Sequence, residues 1–110
     1  MTVREAIEKL DLELVNEGDL DREVKAGYAG DLLSWVMGRS PEGALWFTVM
    51  GSVNTVAVAV LSDAAAIVCT EGADPDNSAV VKAMTQGVTI LKSKRGTFEN
   101  CAALYQLLKE

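Results

Sequence analysis

Ala44-Leu45-Trp46-Phe47-Thr48-Val49-Met50, followed directly by Gly51-Ser52-Val53-Asn54-Thr55-Val56-Ala57-Val58-Ala59-Val60-Leu61, is the stretch whose reading decides the fold of this 110-residue chain. The first seven residues are rich in β-formers and read as a buried strand. The next eleven are ambiguous. Val56, Val58 and Val60 alternate as in a strand, while Val53, Val56, Ala57, Val60 and Leu61 fit the i, i+3, i+4, i+7, i+8 stripe of a helix. Valine's stiff χ1 favours strand, but packing routinely overrides propensity. Periodicity alone leaves both open, and the neighbouring segments supply the choice.

Downstream, Ala65 to Thr70 reads as a buried strand. Asp74-Pro75 opens a helix, with Pro75 expected at its first position, where a missing amide costs nothing. That helix is expected to bury Val80, Ala83 and Met84 and to end at Gly87. Val88 to Leu91 is the next strand. Thr97 is expected to cap a last helix with Phe98, Cys101, Leu104, Tyr105 and Leu108 on its apolar face. If Gly51–Leu61 is helical, strand and helix alternate without a break from Ala44 onward. Such a rhythm builds right-handed βαβ crossovers and a mostly parallel central sheet with helices packed on it. The helix is adopted for that reason, and the chain is read as a single α/β domain spanning residues 1–110.

Upstream, Thr2 with Glu5 has the spacing of a capping box, so a short helix is expected through Leu10, with Ala6, Ile7 and Leu10 on one side. Leu12 to Val15 reads as a short strand, Glu17-Gly18-Asp19 as a turn, and Val24 to Tyr28 as a second strand. Gly30-Asp31 then opens a helix, with Asp31 as the expected N-cap. Its stripe is Leu32, Leu33, Val36 and Met37, with Gly38 at the position that ends a helix. Ser40-Pro41-Glu42-Gly43 is a turn.

Composition narrows the chemistry. Apolar residues make up 49% and charged residues 24%, the balance of an ordinary globular domain. There is no histidine, so neither a Ser-His-Asp nor a Cys-His nucleophile pair can be built within the chain, nor a His-ligated metal site. Two cysteines do not make a four-thiolate site, and no metal or other cofactor is expected. With 16 acids, 10 bases and a formal charge of −6, nucleic acid is not an expected partner. Acids crowd the first segment, eight against three bases from Met1 to Glu23. The bases Lys92, Lys94 and Arg95 gather late, in a turn that has the charge to meet a phosphate but reads first as a solvated loop. Cys69 and Cys101 sit in apolar patterns and read as small buried hydrophobes in a reducing compartment. The start of the chain has no apolar signal-like run, and the longest apolar run, Val56–Leu61, is too short to span a bilayer. No membrane association is expected, and the location is read as cytoplasmic.

Gly27-Tyr28-Ala29-Gly30-Asp31-Leu32-Leu33-Ser34-Trp35-Val36-Met37-Gly38, then Leu45-Trp46-Phe47-Thr48, then Asn54 ahead of Val56–Leu61, resemble a DRTGG domain, over roughly residues 12–108. That family is similar to the N-terminal domain of bacterial HPr kinase/phosphorylase. It also occurs within some phosphotransacetylases and between the CBS domains of some family II pyrophosphatases. The Asp-Arg-Thr-Gly-Gly peptide itself is not present, Lys94-Arg95-Gly96-Thr97 being a distant echo of it. The resemblance implies an α/β regulatory or assembly module rather than a catalytic one, with a helix after Gly51.

Candidate site residues follow from the strand ends. The chain has neither GxxxxGK[ST] nor GxGxxG. Gly51-Ser52-Val53-Asn54 lies between a strand and a helix, hence at the carboxyl edge where open α/β sheets bind ligands. With Thr48 beside it and free amides at the helix start, it suits a small anion such as a nucleotide, against the commoner reading of Ser52 or Asn54 as a simple helix cap. Gly30 and Asp31 form a second strand-to-helix turn, where a cap again competes with ligand contact. Asp74 and Asp76, and Asp19 and Asp21, read as solvated turns because the Ca²⁺-loop pattern is missing. Trp35 falls off its helix stripe and is expected to face outward, as an interface residue or as cover for a loop. Three readings result. The first is a non-catalytic regulatory module, homodimeric by default, that takes a nucleotide or other small anion. The second is an adaptor for a protein partner with no small-molecule ligand, and the third a small hydrolase using Asp31 and Ser34.

Overall fold

A computed structural model describes residues 1–110. The chain runs α1 (Val3–Lys9), β1 (Glu13–Asn16), β2 (Ala26–Ala29), α2 (Leu33–Arg39), β3 (Ala44–Thr48), α3 (Val53–Leu61), β4 (Ala66–Cys69), α4 (Asn77–Gln86), β5 (Ile90–Lys92) and α5 (Thr97–Leu108). The strands form one sheet in the order β1-β5-β4-β3-β2, in which β2 to β5 are parallel and β1 is antiparallel to β5. The expected α/β architecture is therefore present, and Gly51–Leu61 resolves as loop plus helix.

Every residue of β3 and β4 is buried, because the sheet is covered on both faces. Alternate side chains go to opposite layers. Trp46, Ile67, Cys69 and Ile90 meet Val36, Val56, Ala59, Ala79 and Ala83 from α2, α3 and α4. Leu45, Phe47, Val68 and Leu91 meet Val3, Ala6, Leu10 and Leu104 from α1 and α5. Each large side chain buried in this way contributes about 1.5–3 kcal/mol against exposure. The free cysteines Cys69 and Cys101 belong to opposite faces of the sheet.

β2 to β5 lie in chain order, so α2, α3 and α4 cross on one face. The chain then leaves β5 for the other face, where α5 packs over β2 and β3. Adjacent strands β4 and β5 thus send their helices to opposite sides.

Several expected element ends shift. Asp31 is not the cap of α2: the N-cap is Leu32, without a side-chain bond, because the Asp31 carboxylate is turned toward β3. Gly38 lies inside α2, which ends at Arg39 with Ser40 as its C-cap. Of the expected α2 stripe only Val36 is fully buried, since this short helix touches the sheet on a narrow line and leaves Leu32 and Met37 exposed. Pro75 precedes the helix, whose N-cap is Asp76. α4 buries Ala79 and Ala83, and Met84 is exposed, because close packing on α3 favours the small side chains. The cap of α5 is Gly96, with Thr97 its first residue. On α5 the expected Leu104 is buried and Cys101 and Leu108 pack against the core, joined by Asn100, Ala103 and Leu107, whereas Phe98 and Tyr105 face outward. A polar Asn100 within that face does not register in an apolar pattern. Strand ends at Val49, Met50 and Val88 fall outside the ladders.

The α1 capping box, Thr2 with Glu5, is present, as is the left-handed Gly87 that ends α4 at φ 70°. Arg22 donates to the Asp63 carboxylate at 2.8 Å and to the Asp63 carbonyl at 2.9 Å, tying the β1–β2 connection to the end of α3. The Arg22 hydrogen bond holds the Asp63 carboxyl below its ordinary 3.8. A depressed folded-state value stabilises above the unfolded pKa, and the contribution is lost as pH falls through the folded one. The stability difference between the wild type and Asp63→Asn is therefore expected to be constant near neutrality and to vanish as pH drops below 3.8, in urea titrations at stepped pH. The effect is small, since the pair is largely in water.

Candidate functional site

The loops beyond the carboxyl ends of β2 and β3 form one interlocked unit. Trp46, fully buried, donates its indole N–H to the Gly30 carbonyl at 2.8 Å. That bond fixes the turn that carries Asp31. One Asp31 carboxylate oxygen accepts from the Thr48 hydroxyl at 2.7 Å and from the Val49 amide at 3.0 Å. The Thr48 hydroxyl in turn accepts from the Met50 amide at 3.1 Å. Asp31 thus fills the place of an anion against the backbone after β3. Asp31→Ala is expected to lower stability by about 1–3 kcal/mol, since it leaves the buried Thr48 hydroxyl and the Val49 amide without their acceptor, as read by chemical denaturation.

The next turn belongs to α3. The Ser52 hydroxyl accepts from the Thr55 amide at 3.3 Å, and the Ser52 amide donates to the Thr55 hydroxyl at 3.2 Å, a reciprocal cap. Thr55, which sequence reasoning passed over, also donates to the Met50 carbonyl. Its signal was available in the Ser52-x-x-Thr55 spacing. Asn54 stands exposed on the first turn. Gly51 packs against the α4 approach: a Cβ there would lie 2.6 Å from Pro75 Cα and 3.3 Å from Cys69 Sγ, and the Gly51 carbonyl accepts from the Asp76 amide at 2.7 Å. Of the six expected ligand residues, Asp31 and Thr48 are bonded to each other, Gly30 to Trp46 and Ser52 to Thr55, and Gly51 packs on Pro75, which leaves Asn54 exposed. Ser34 is exposed on α2 and is not among the partners of Asp31.

A larger opening lies at the β5 end. A groove of about 350 Å³ is lined by Asp11, Leu12, Glu13, Gly72, Lys92, Ser93, Lys94 and Arg95. Its floor is rigid. The Gly72 amide donates to the Ser93 carbonyl at 3.0 Å and the Glu71 amide to the Arg95 carbonyl at 2.9 Å. The buried Asn100 amide group donates to the Ser93 hydroxyl at 2.9 Å and the Gly96 carbonyl at 3.0 Å. Thr70 and Thr97 share a hydroxyl–hydroxyl bond of 2.6 Å. Arg95 donates to the Leu10 carbonyl at 3.0 Å, and Lys92 pairs with Asp74. That hydrogen bond from Lys92 to Asp74 holds the ammonium above its ordinary value. Burial pushes the Cys69 thiol up to about 11, so it is inert as a nucleophile at neutral pH. No cluster of three or more His, Cys, Asp or Glu residues is placed to hold a metal ion, and no helix is long and apolar enough to cross a membrane.

Fold and loops together define an α/β module with three crossover helices on one face, two further helices on the other, and polar loops gathered along one sheet edge. The chain is similar in structure to the CBS and DRTGG domains of the regulatory region of Clostridium perfringens pyrophosphatase, solved in complex with an activator, diadenosine tetraphosphate. The TM-score is 0.76 at 14% identity, over 96% of this chain and 46% of that one, so this chain spans about half the neighbour's length. The DRTGG likeness expected from the residues thus reappears in the fold. No family model matches the chain, and no curated protein sequence matches it.

Proposed function

We propose that this chain is a non-catalytic regulatory module that self-associates and takes a small anionic ligand of the nucleotide class. The observation that carries this reading is the structural likeness, across nearly the whole chain, to a regulatory region solved with a nucleotide activator. The loops support it. Asp31, Thr48 and Ser52 are engaged in holding the backbone, and neither a base for Ser34 nor a second carboxylate accompanies Asp31. The ligand fits best in the groove at Lys92-Ser93-Lys94-Arg95. It adjoins the ends of β4 and β5, where neighbouring crossovers diverge, the kind of crevice in which open α/β sheets bind ligands. Lys94 supplies the cation most accessible to a phosphate, with Asn54 and the Gly51–Ser52 turn as the alternative place along the same edge.

Thermal shift with AMP, ADP, ATP and diadenosine tetraphosphate tests it. A ligand at a hundredfold excess over its Kd raises stability by about 2.7 kcal/mol. The shift is expected for the wild type and for Asn54→Ala, and lost in Lys94→Glu. Loss in Asn54→Ala alone moves the site to the α3 turn. No shift with any nucleotide overturns the ligand and leaves the adaptor for a protein partner.

A further inference from the structure

The layer formed by α2, α3 and α4 is unlike the rest of the surface. These helices have seven, nine and ten residues, yet α2 and α4 carry one charged residue each, Arg39 and Lys82, and α3 carries none. None of the chain's 16 acids lies in them, whereas α1 holds Glu5 and Glu8 and α5 holds Glu99. The nearest acids, Asp31, Asp63 and Asp76, stand in the loops beyond the helix ends. On the outside of this layer Trp35, Met37, Val53, Val60, Val81 and Met84 are each exposed by 36% or more. The half-buried Ala57, between Val53 and Val60 on α3, leaves room for close approach. Arg39 lies over the Trp35 ring at 3.9 Å, leaving the indole half exposed.

We infer that this acid-free layer is where a second copy of the chain docks, face to face. The inference rests on the self-association reading and names its surface. Two molecules of charge −6 repel wherever their acids come within about 8 Å, the screening length at physiological salt. Contact through α2–α4 keeps the acids at the rim and brings together Trp, Met and Val side chains, the composition of an interface centre. An isologous contact also brings each added charge into the interface twice, once from each copy. A basic partner would find no acid on these helices to recognise, and an acidic one only Arg39 and Lys82.

Sedimentation of the full chain, with far-UV circular dichroism as the fold check, tests the assignment. The wild type is expected as a dimer whose Kd tightens as salt is raised, because salt screens the repulsion between copies. Val81→Glu/Met84→Glu, at two exposed helical positions, is expected to keep the wild-type spectrum, to sediment as an 11.7 kDa monomer and to weaken self-association by about a hundredfold or more. Trp35→Ala on the neighbouring helix is expected to weaken it in the same direction. A double Glu variant that remains dimeric, while Phe98→Glu/Tyr105→Glu on α5 becomes monomeric, overturns the layer and leaves self-association standing. A wild type that is monomeric at all concentrations overturns self-association itself.

Discussion

Trp46→Ala is expected to destabilise the protein by about 3–5 kcal/mol, the range for deleting a large aromatic side chain from a packed core. At about 4 °C per kcal/mol, the melting temperature falls by roughly 12–20 °C. Trp46 is fully buried between the sheet and the α2–α4 layer, and its indole N–H is the bond that holds the Gly30 carbonyl. The substitution therefore opens a cavity and also frees the turn that positions Asp31. Trp46→Phe shifts the balance between the two effects: it keeps most of the volume, leaves a smaller cavity and removes the hydrogen bond, with an expected loss of about 1–3 kcal/mol. A Trp46→Phe variant as stable as the wild type would show that the Gly30 bond contributes nothing. Differential scanning calorimetry reads both variants.

Gly51→Ala is the second large effect. The added methyl would sit 2.6 Å from Pro75 Cα and 2.9 Å from Pro75 Cβ. Those neighbours are backbone and a rigid ring, so they cannot swing aside. Overpacking of this kind costs about 1–3 kcal/mol, and relief by moving the loop would break the Asp76 amide bond to the Gly51 carbonyl as well. If Gly51 is a packing glycine, the variant melts earlier but keeps the nucleotide response of the wild type. If it is a ligand glycine as well, the response goes together with the fall in melting temperature. The same pair of measurements thus separates close packing from recognition at one residue.

The alternation that begins at Ala44 made the architecture legible, because β3 and β4 are short runs buried on both faces and each is followed by a strongly marked turn. Helix α3 could not be read from its own residues, since Val56, Val58 and Val60 satisfy either period. It was legible only through its neighbours, because a parallel sheet needs a crossover at that place. On α4 and α5 the apolar pattern marks Ala83 and Leu104, which are buried, but not Ala79 and Asn100, because a stripe of large apolar side chains does not reveal a small or a polar contact. The small and the polar residue pack there because the backbones approach closely and because Asn100 has its own donors to place. At the candidate site, residue types and location along the sheet edge were legible. Their bonding was not: nothing in the order Asp31…Thr48 shows that the two side chains meet across adjacent strands. The groove at Lys92–Arg95 depends on Asp11 and Gly72 arriving from distant parts of the chain, so four consecutive residues gave only its charge.

The opposite face has a consequence for architecture at a larger scale. Met1 and the end of α5, Leu107 and Leu108, pack against the same cluster of core residues. Both ends of the chain therefore leave from the α1/α5 side, away from the layer of α2, α3 and α4. Contact with another molecule through α2–α4 would therefore cover neither terminus.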